Sequence, residues 1–280
     1  MPAGPLYGAL LDALRGVSWP TRVASRGASA GTHPSRLRGN SAEFTEYRAY
    51  RQGDDPRRLD WKLLARTDRA YLRITDERAT LPTLILADAS ASMRFGAKWE
   101  QACAMVVGLA AVAHAAADPV AVSVSGPSPR RLPFRARRGV VGDTARFLDG
   151  VTPTGAADLA PLVRDWGRAA RVAIVTDLLG DEPLLLRLAR ERVARGADVV
   201  LVHIVAREEL EPPAGAHLTF DPERPALERR LTDRTRDGYR ASFDAWRAAV
   251  ARGWRAAGAG YFEVVTDEPP DRAVRRVVGG

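Results

Sequence analysis

The stretch Leu84-Ile85-Leu86-Ala87-Asp88-Ala89-Ser90-Ala91-Ser92-Met93 decides how this chain is read. Leu84, Ile85 and Leu86 form a short run without polar residues, the pattern of a strand buried on both faces of a parallel sheet. The run stops at a carboxylate, Asp88, which falls at the carboxyl end of that strand. In open α/β sheets this edge is where ligands bind, because the loops diverge there and leave a crevice. Asp88, Ser90 and Ser92 alternate at spacing two, so a locally extended loop sets all three side chains on one side. One anionic and two neutral oxygens suit a hard cation such as Mg²⁺. The same residues also suit a plainer role, with Asp88 capping a helix that begins near Phe95 and the serines bonding within the turn.

Downstream, Lys98 to Ala117 reads as a long helix in which Met105, Val106, Leu109, Val112 and Ala113 recur at helical spacing. Val120 to Val124 is the next strand, and Arg130 to Phe134 folds back beside it as an edge strand. Asp143 to Leu148 and Asp158 to Trp166 read as helices on either side of the Thr152-Pro153-Thr154-Gly155 turn. Arg171 to Asp177 is a second buried strand ending at a carboxylate, which places Asp177 toward the same crevice. A helix from Leu184 to Arg195, closed by Gly196, leads to a strand from Asp198 to Val205. Tyr261 to Val265 and Asp271 to Val278 supply a last strand and a closing helix. This alternation predicts an α/β fold with a doubly wound, mostly parallel sheet and helices on both faces.

Residues 211–258 interrupt the rhythm as an insertion, with two strand-like pieces between 217 and 232 around Asp221-Pro222-Glu223. From Arg234 a helix follows with Tyr239, Phe243, Trp246 and Val250 on one stripe, which reads as core rather than as a stacking platform. Upstream, residues 6 to 15 read as a short helix and Ser25 to Ser35 as a loop. Leu37 to Arg78 is dense in charge and aromatics, with a turn at Gly53-Asp54-Asp55-Pro56 and a strand around Tyr71 to Ile74. The organisation predicted is an accessory segment at 1–80 and a larger domain at 81–280. Asp54, Asp55, Arg57, Asp60, Trp61 and Arg66 make up either an ion-pair network that locks the accessory segment or a partner surface. Trp61 reads as an anchor packed on the main domain.

With 280 residues, 46% of them hydrophobic, the chain can bury a full core. Its formal charge of +8 invites a nucleic-acid function, but Arg is interleaved with Asp and Glu throughout instead of gathered into one basic arm. No nucleic-acid partner is expected. The single cysteine, Cys103, makes no internal disulfide and no Cys/His spacing suits zinc. The apolar patch from Leu6 to Leu14 is interrupted by Asp12 and lacks a basic leader, so it reads as neither signal peptide nor membrane span, and a cytoplasmic location is expected.

Asp88-x-Ser90-x-Ser92-Met93 resembles the metal-ion-dependent adhesion site of von Willebrand factor A domains. The earlier stretch, Gly39 through Glu46-Tyr47-Arg48, Gly53-Asp54-Asp55-Pro56-Arg57, Asp60-Trp61-Lys62 and Ala65-Arg66-Thr67, closely resembles the signature of the family called domain of unknown function 58 (DUF58). The resemblance implies an A-type, Rossmann-like domain that binds Mg²⁺ through the DxSxS loop. It also implies a MoxR-type AAA+ ATPase, or that ATPase's client, as partner. Carried over by position, Asp88, Ser90, Ser92 and Asp177 match the metal ligands. Similar proteins supply a further Thr from a Gly-Gly-Thr-Asp-Leu segment, whereas this chain reads Gly155-Ala156-Ala157-Asp158-Leu159. Ala157 offers no oxygen, and Thr154 stands three residues earlier as the possible substitute, so the expected site is a weakened one.

Three classes of function follow. The leading expectation is a non-catalytic protein-binding module, an adaptor or assembly factor working through the DASAS loop. A metal-dependent hydrolase or phosphatase with Asp88 as nucleophile is the second. It calls for a general acid two residues on, where this chain has Ser90, and none of His33, His114, His203 or His217 has a local partner for a nucleophile-base pair. Nucleic-acid binding by the Arg-rich surface is the third. The chain has no GxxxxGK[ST] loop and is not expected to hydrolyse ATP.

Overall fold

The computed structural model describes residues 4–21, 30–38, 44–52, 54–156, 158–212, 217–220, 228–231 and 233–280. Gly53, Ala157, the Gly39 end of the charged signature and the Asp221-Pro222-Glu223 piece lie outside the described residues. In chain order the elements are α1 (Gly4–Ala13), β1 (Ala30–Arg38), β2 (Phe44–Ala49), α2 (Trp61–Thr67), β3 (Tyr71–Ala79), β4 (Thr83–Ala87) and α3 (Lys98–Ala115). Then come β5 (Val120–Val124), β6 (Arg130–Arg135), α4 (Val140–Asp149), α5 (Ala160–Arg164), β7 (Arg171–Thr176), α6 (Glu182–Ala194) and β8 (Asp198–Val205). The chain closes with α7 (Arg207–Leu210), β9 (His217–Phe220), β10 (Glu228–Leu231), α8 (Asp233–Ala256), β11 (Gly260–Val265) and α9 (Pro270–Gly279).

Two compact units result, one of Met1–Pro20 with Pro82–Gly280 and one of Thr21–Leu81. The division differs from a cut at residue 80, because Tyr7 of α1 and Leu14 just after it bury in the same core as α3 and α9, so this segment belongs to the larger unit.

The larger unit is built on a six-stranded sheet in the order β11-β8-β7-β4-β5-β6. All its neighbours are parallel except β6, which folds back antiparallel on β5. Every residue of β4, β5, β7 and β8 is buried, as uninterrupted apolar runs require when helices cover both faces. Ile85 and Ala87 face α1, α3, α4 and α9, with Met105, Leu109 and Val274 among their neighbours in that core. Leu84 and Leu86 face the opposite layer, formed by α5, α6 and α8 around Trp166, Leu185 and Trp254. From β4 the chain proceeds outward through β5 and β6, then returns to pair β7 on the other flank of β4. The winding reverses there, so the β4/β7 edge is the switch point at which a doubly wound sheet opens its crevice.

The expected insertion at 211–258 is only partly one. Its first half holds the antiparallel β9/β10 pair, but α8 is the crossover helix between β8 and β11, and Val250 and Trp254 bury in the core. Of the aromatic stripe, Trp246 packs on that core while Tyr239 and Phe243 continue outward as a half-buried stack, with centroids 5.6 Å apart at each step.

The smaller unit is a three-stranded antiparallel sheet with β3 between β1 and β2. The loop expected at 25–35 is a strand from Ala30 onward, because pairing with β3 supplies hydrogen bonds that its Gly, Pro and Ser content does not advertise. Asp54 takes hydrogen bonds from Arg48 (2.7 Å) and the Arg51 N–H (2.8 Å), which hold its carboxyl below the usual carboxylate range. Asp55 accepts from the Arg57 N–H, and Asp60 caps α2 by accepting from the Lys62 and Leu63 N–H groups. Trp61 stands 64% exposed at the start of α2.

Candidate functional site

Asp88 follows β4 at the switch point and is completely buried, as are Ser90 and Ser92. The Asp88 N–H donates to Val175 O (2.8 Å), extending the β4/β7 ladder by one residue and fixing the carboxylate over the strand ends. Asp88 Oδ2 accepts from Thr176 Oγ1 at 2.7 Å, and Oδ1 accepts from Ser125 Oγ at 3.1 Å and the Ser90 N–H at 2.9 Å. Donors from β7, from the end of β5 and from the loop itself therefore converge on one carboxylate. Burial, and then the negative charge of Asp177, raise the Asp88 carboxyl above its ordinary value, against the lowering effect of the Thr176 and Ser90 hydrogen bonds. The Thr176, Ser125 and Ser90 donors that reach Asp88 are all neutral.

The two hydroxyls of the motif meet: Ser90 Oγ and Ser92 Oγ are 3.0 Å apart. Ser90 occupies the cap position of the 3-10 turn at Ala91–Ala97 but makes no side-chain capping bond. Asp88 does not cap a helix at all, and its local role is the bond from the Ser90 N–H. The Thr152–Gly155 turn lies against this loop through two backbone bonds, Thr154 N–H to Ala89 O (2.8 Å) and Ala91 N–H to Gly155 O (2.9 Å). Thr154 is exposed there.

Asp177, just past β7, is turned to another partner. Its Oδ2 accepts from Lys98 Nζ at 3.0 Å and its Oδ1 from the Leu179 N–H at 3.2 Å. Lys98 Nζ also donates to Glu209 Oε1 at 2.6 Å, and Glu209 Oε2 accepts from the Ala206 N–H at 2.8 Å. Both ends of the Lys98–Asp177 pair are 1% exposed. Burial penalises the ammonium, but Asp177 and Glu209 outweigh it and hold Lys98 above its ordinary value, so it stays charged. Glu209 is raised, chiefly by burial, with Lys98 opposing. Behind them, His203 in β8 pairs with the Tyr261 hydroxyl at 2.7 Å, and burial pushes its imidazole down to about 4.

Left-handed backbone occurs on both loops of this edge. Gly96 and Ala97 are both left-handed (φ 53° and 59°), as is Leu178 beside Asp177 (φ 60°). A β-carbon on Gly96 would stand 2.6 Å from both Ala206 Cβ and Glu208 Oε2, so this close approach brings the start of α3 onto the β8–α7 turn and Lys98 to Glu209. Phe95 and Leu179, each 46% exposed, leave two large apolar side chains on these same two loops. A pocket lined by Asp88, Thr176, Leu178, Asp158, Asp181 and Leu185 also reaches the site from the α5/α6 side.

Asp88, Ser90 and Ser92 are thus brought together, and the Thr154 backbone adjoins them. Their oxygens suit a hard cation, and Asp88 and the two hydroxyls are the groups that would hold it. Among the described residues no set of three or more His, Cys, Asp or Glu side chains is arranged to bind a metal ion, so hydroxyl oxygens would have to complete such a shell. Lys98 and Glu209 were not apparent from the sequence. Asp54, Asp55, Arg57, Asp60, Trp61 and Arg66 lie in the smaller unit, where the aspartates order local turns.

Residues 46–251 match the family described as "Protein of unknown function DUF58". An uncharacterized protein of Mycobacterium tuberculosis is 28% identical over 276 residues, covering 92% of this chain and 85% of its own length. An uncharacterized protein of Mycobacterium bovis matches to the same extent. Among solved structures, BatB from Bacteroides thetaiotaomicron aligns with 16% identity and a TM-score of 0.46, over 71% of this chain and 97% of that one. A von Willebrand factor type A protein from Catenulispora acidiphila aligns with 10% identity and a TM-score of 0.44, over 95% of this chain and 50% of that one.

Proposed function

The chain belongs to the DUF58 family, and from that premise we propose that it is a non-catalytic protein-binding module whose DASAS loop takes a divalent cation, Mg²⁺ by its oxygen donors. The observation that carries this reading is the meeting of Ser90 Oγ and Ser92 Oγ at 3.0 Å beside the buried Asp88 carboxylate, at the switch point of the sheet. A cation held there supplies an acceptor for one carboxylate from a partner protein. This chain's own residues set the rest: Thr176, Ser125 and the Ser90 N–H orient Asp88, and the exposed Phe95 and Leu179 offer apolar contact to a docking surface. The partner proposed is a MoxR-type AAA+ ATPase or its client, which rests on the resemblance of the DxSxS and GDDPR/DWK motifs to von Willebrand factor A and DUF58 proteins, a resemblance that implies such a partner.

The hydrolase alternative fares worse. A nucleophilic Asp88 calls for a general acid two residues on, where this chain has Ser90, and both Asp88 oxygens are held by hydrogen bonds from Thr176, Ser125 and the Ser90 N–H. Among the described residues no helix is long and apolar enough to cross a membrane.

Two measurements test the reading. Melting in Mg²⁺ and in EDTA should give curves that separate, since ligand at a hundred times Kd adds about 2.7 kcal/mol to the folded state. A pull-down with wild type and Asp88→Ala should show a protein partner lost by the variant. Coincident melts together with a partner set untouched by Asp88→Ala would sink the proposal.

A further inference from the structure

We infer that Lys98 is a built-in counter-cation of the DASAS site, which holds Asp177 out of the divalent shell and keeps the affinity for divalent ions low. This rests on the reading of that loop as a cation site. The charges on the page make the case. Asp88, Asp177, Glu209 and Lys98 are packed at one sheet edge with Asp88 completely buried and both partners of the Lys98–Asp177 pair 1% exposed. Asp88 has hydroxyl and amide donors only, whereas Asp177 has an ammonium at 3.0 Å on one oxygen and the Leu179 N–H on the other. Glu209, 2.6 Å from the same ammonium, balances the lysine charge and fixes its position. A divalent ion arriving at Asp88, Ser90 and Ser92 therefore finds one carboxylate instead of two, and a fixed positive charge next to the second.

The placement of Lys98 is structural, not incidental. It is the first residue of α3, set immediately after the left-handed pair Gly96 and Ala97, and the tight Gly96 contact with Ala206 and Glu208 holds this turn against α7. That contact sets the Lys98 backbone beside α7, within reach of both Asp177 and Glu209.

The test is Mn²⁺ binding by calorimetry or by loss of the free Mn²⁺ electron paramagnetic resonance signal, on the full chain. The informative variant is Lys98→Met/Glu209→Gln. It removes one positive and one negative charge together, so the net buried charge is unchanged and the glutamine keeps an oxygen for the Ala206 N–H. It should bind Mn²⁺ about tenfold or more tighter than wild type, because Asp177 is released to the site and the nearby positive charge is gone. Adding Asp177→Asn should cancel the gain, and adding Asp88→Asn should abolish binding. Wild-type binding that the double variant does not improve overturns the role of Lys98 and leaves the cation site standing. Absence of binding in wild type and double variant alike overturns both. Binding only in the double variant supports the counter-cation and refutes metal loading of the natural chain.

Discussion

Thr176 Oγ1 donates to Asp88 Oδ2 at 2.7 Å, joining the last residue of one central strand to the carboxylate that follows its neighbour. A buried carboxylate raised above 3.8 binds its proton more tightly folded than unfolded, so its contribution to stability falls as pH rises through that range and stays low above it. In EDTA, Asp88→Asn should therefore melt higher than wild type at neutral pH, by about 2–4 °C for each kcal/mol relieved. Thr176→Val, which leaves the charge and removes its donor, should cost about 1–3 kcal/mol. A lower melting temperature for Asp88→Asn would show that its hydrogen bonds outweigh its desolvation.

His203 governs the acid side. Its imidazole is pushed from 6.5 to about 4 by burial, so the unfolded chain takes up a proton that the folded chain refuses. The stability this group supplies is fully present above 6.5 and is lost as pH falls toward 4, a drop of about 3 kcal/mol. His203→Asn keeps a group near the Tyr261 hydroxyl and removes the titration. Denaturant midpoints measured across this window should slope less in the variant, and identical slopes would count against the assignment.

Gly108 in α3 faces α9 so closely that a β-carbon there would lie 2.7 Å from Val274 Cγ2 and 3.2 Å from Leu14 Cδ1. Gly108→Ala gains about 1 kcal/mol of helix propensity but should still destabilise by about 1–3 kcal/mol through overpacking. Val274→Ala introduced with it should recover part of the loss in a urea titration, and additive losses would exclude the clash as the cause.

The sheet was legible because β4, β7 and β8 are apolar runs whose burial on both faces needs no partner to be recognised. β1 was not, since its sequence AGTHPSRLR has neither alternation nor β-branched density and becomes a strand only by pairing with β3. The serines and Asp88 carry their own spacing, but it is the 3-10 turn beginning after Ser90, and not an extended loop, that sets the Ser90 and Ser92 hydroxyls 3.0 Å apart. Lys98 did not show itself: a lysine at a helix start reads as solvated, and its partners lie 79 and 111 residues away. The faint signal was compositional, because Lys62 and Lys98 are the only lysines in an arginine-rich chain.

Arg171 opens β7 fully buried, and its guanidinium donates to Trp19 O at 2.8 Å while lying 4.3 Å from the Trp19 ring centroid. The N–H groups of Ala170 and Arg171 both donate to Pro82 O, at 2.9 and 3.1 Å. Trp19 precedes the smaller unit and Pro82 follows it, so two adjacent residues clasp both ends of that excursion. To the larger unit, Thr21–Leu81 is topologically one long loop with a closed neck. A chain in which a few glycines carry Pro20 directly to Pro82 should therefore fold with an unchanged far-ultraviolet spectrum per residue of the larger unit. The sheet is then held without the excursion, and what the smaller unit contributes can be measured separately from how the larger unit folds.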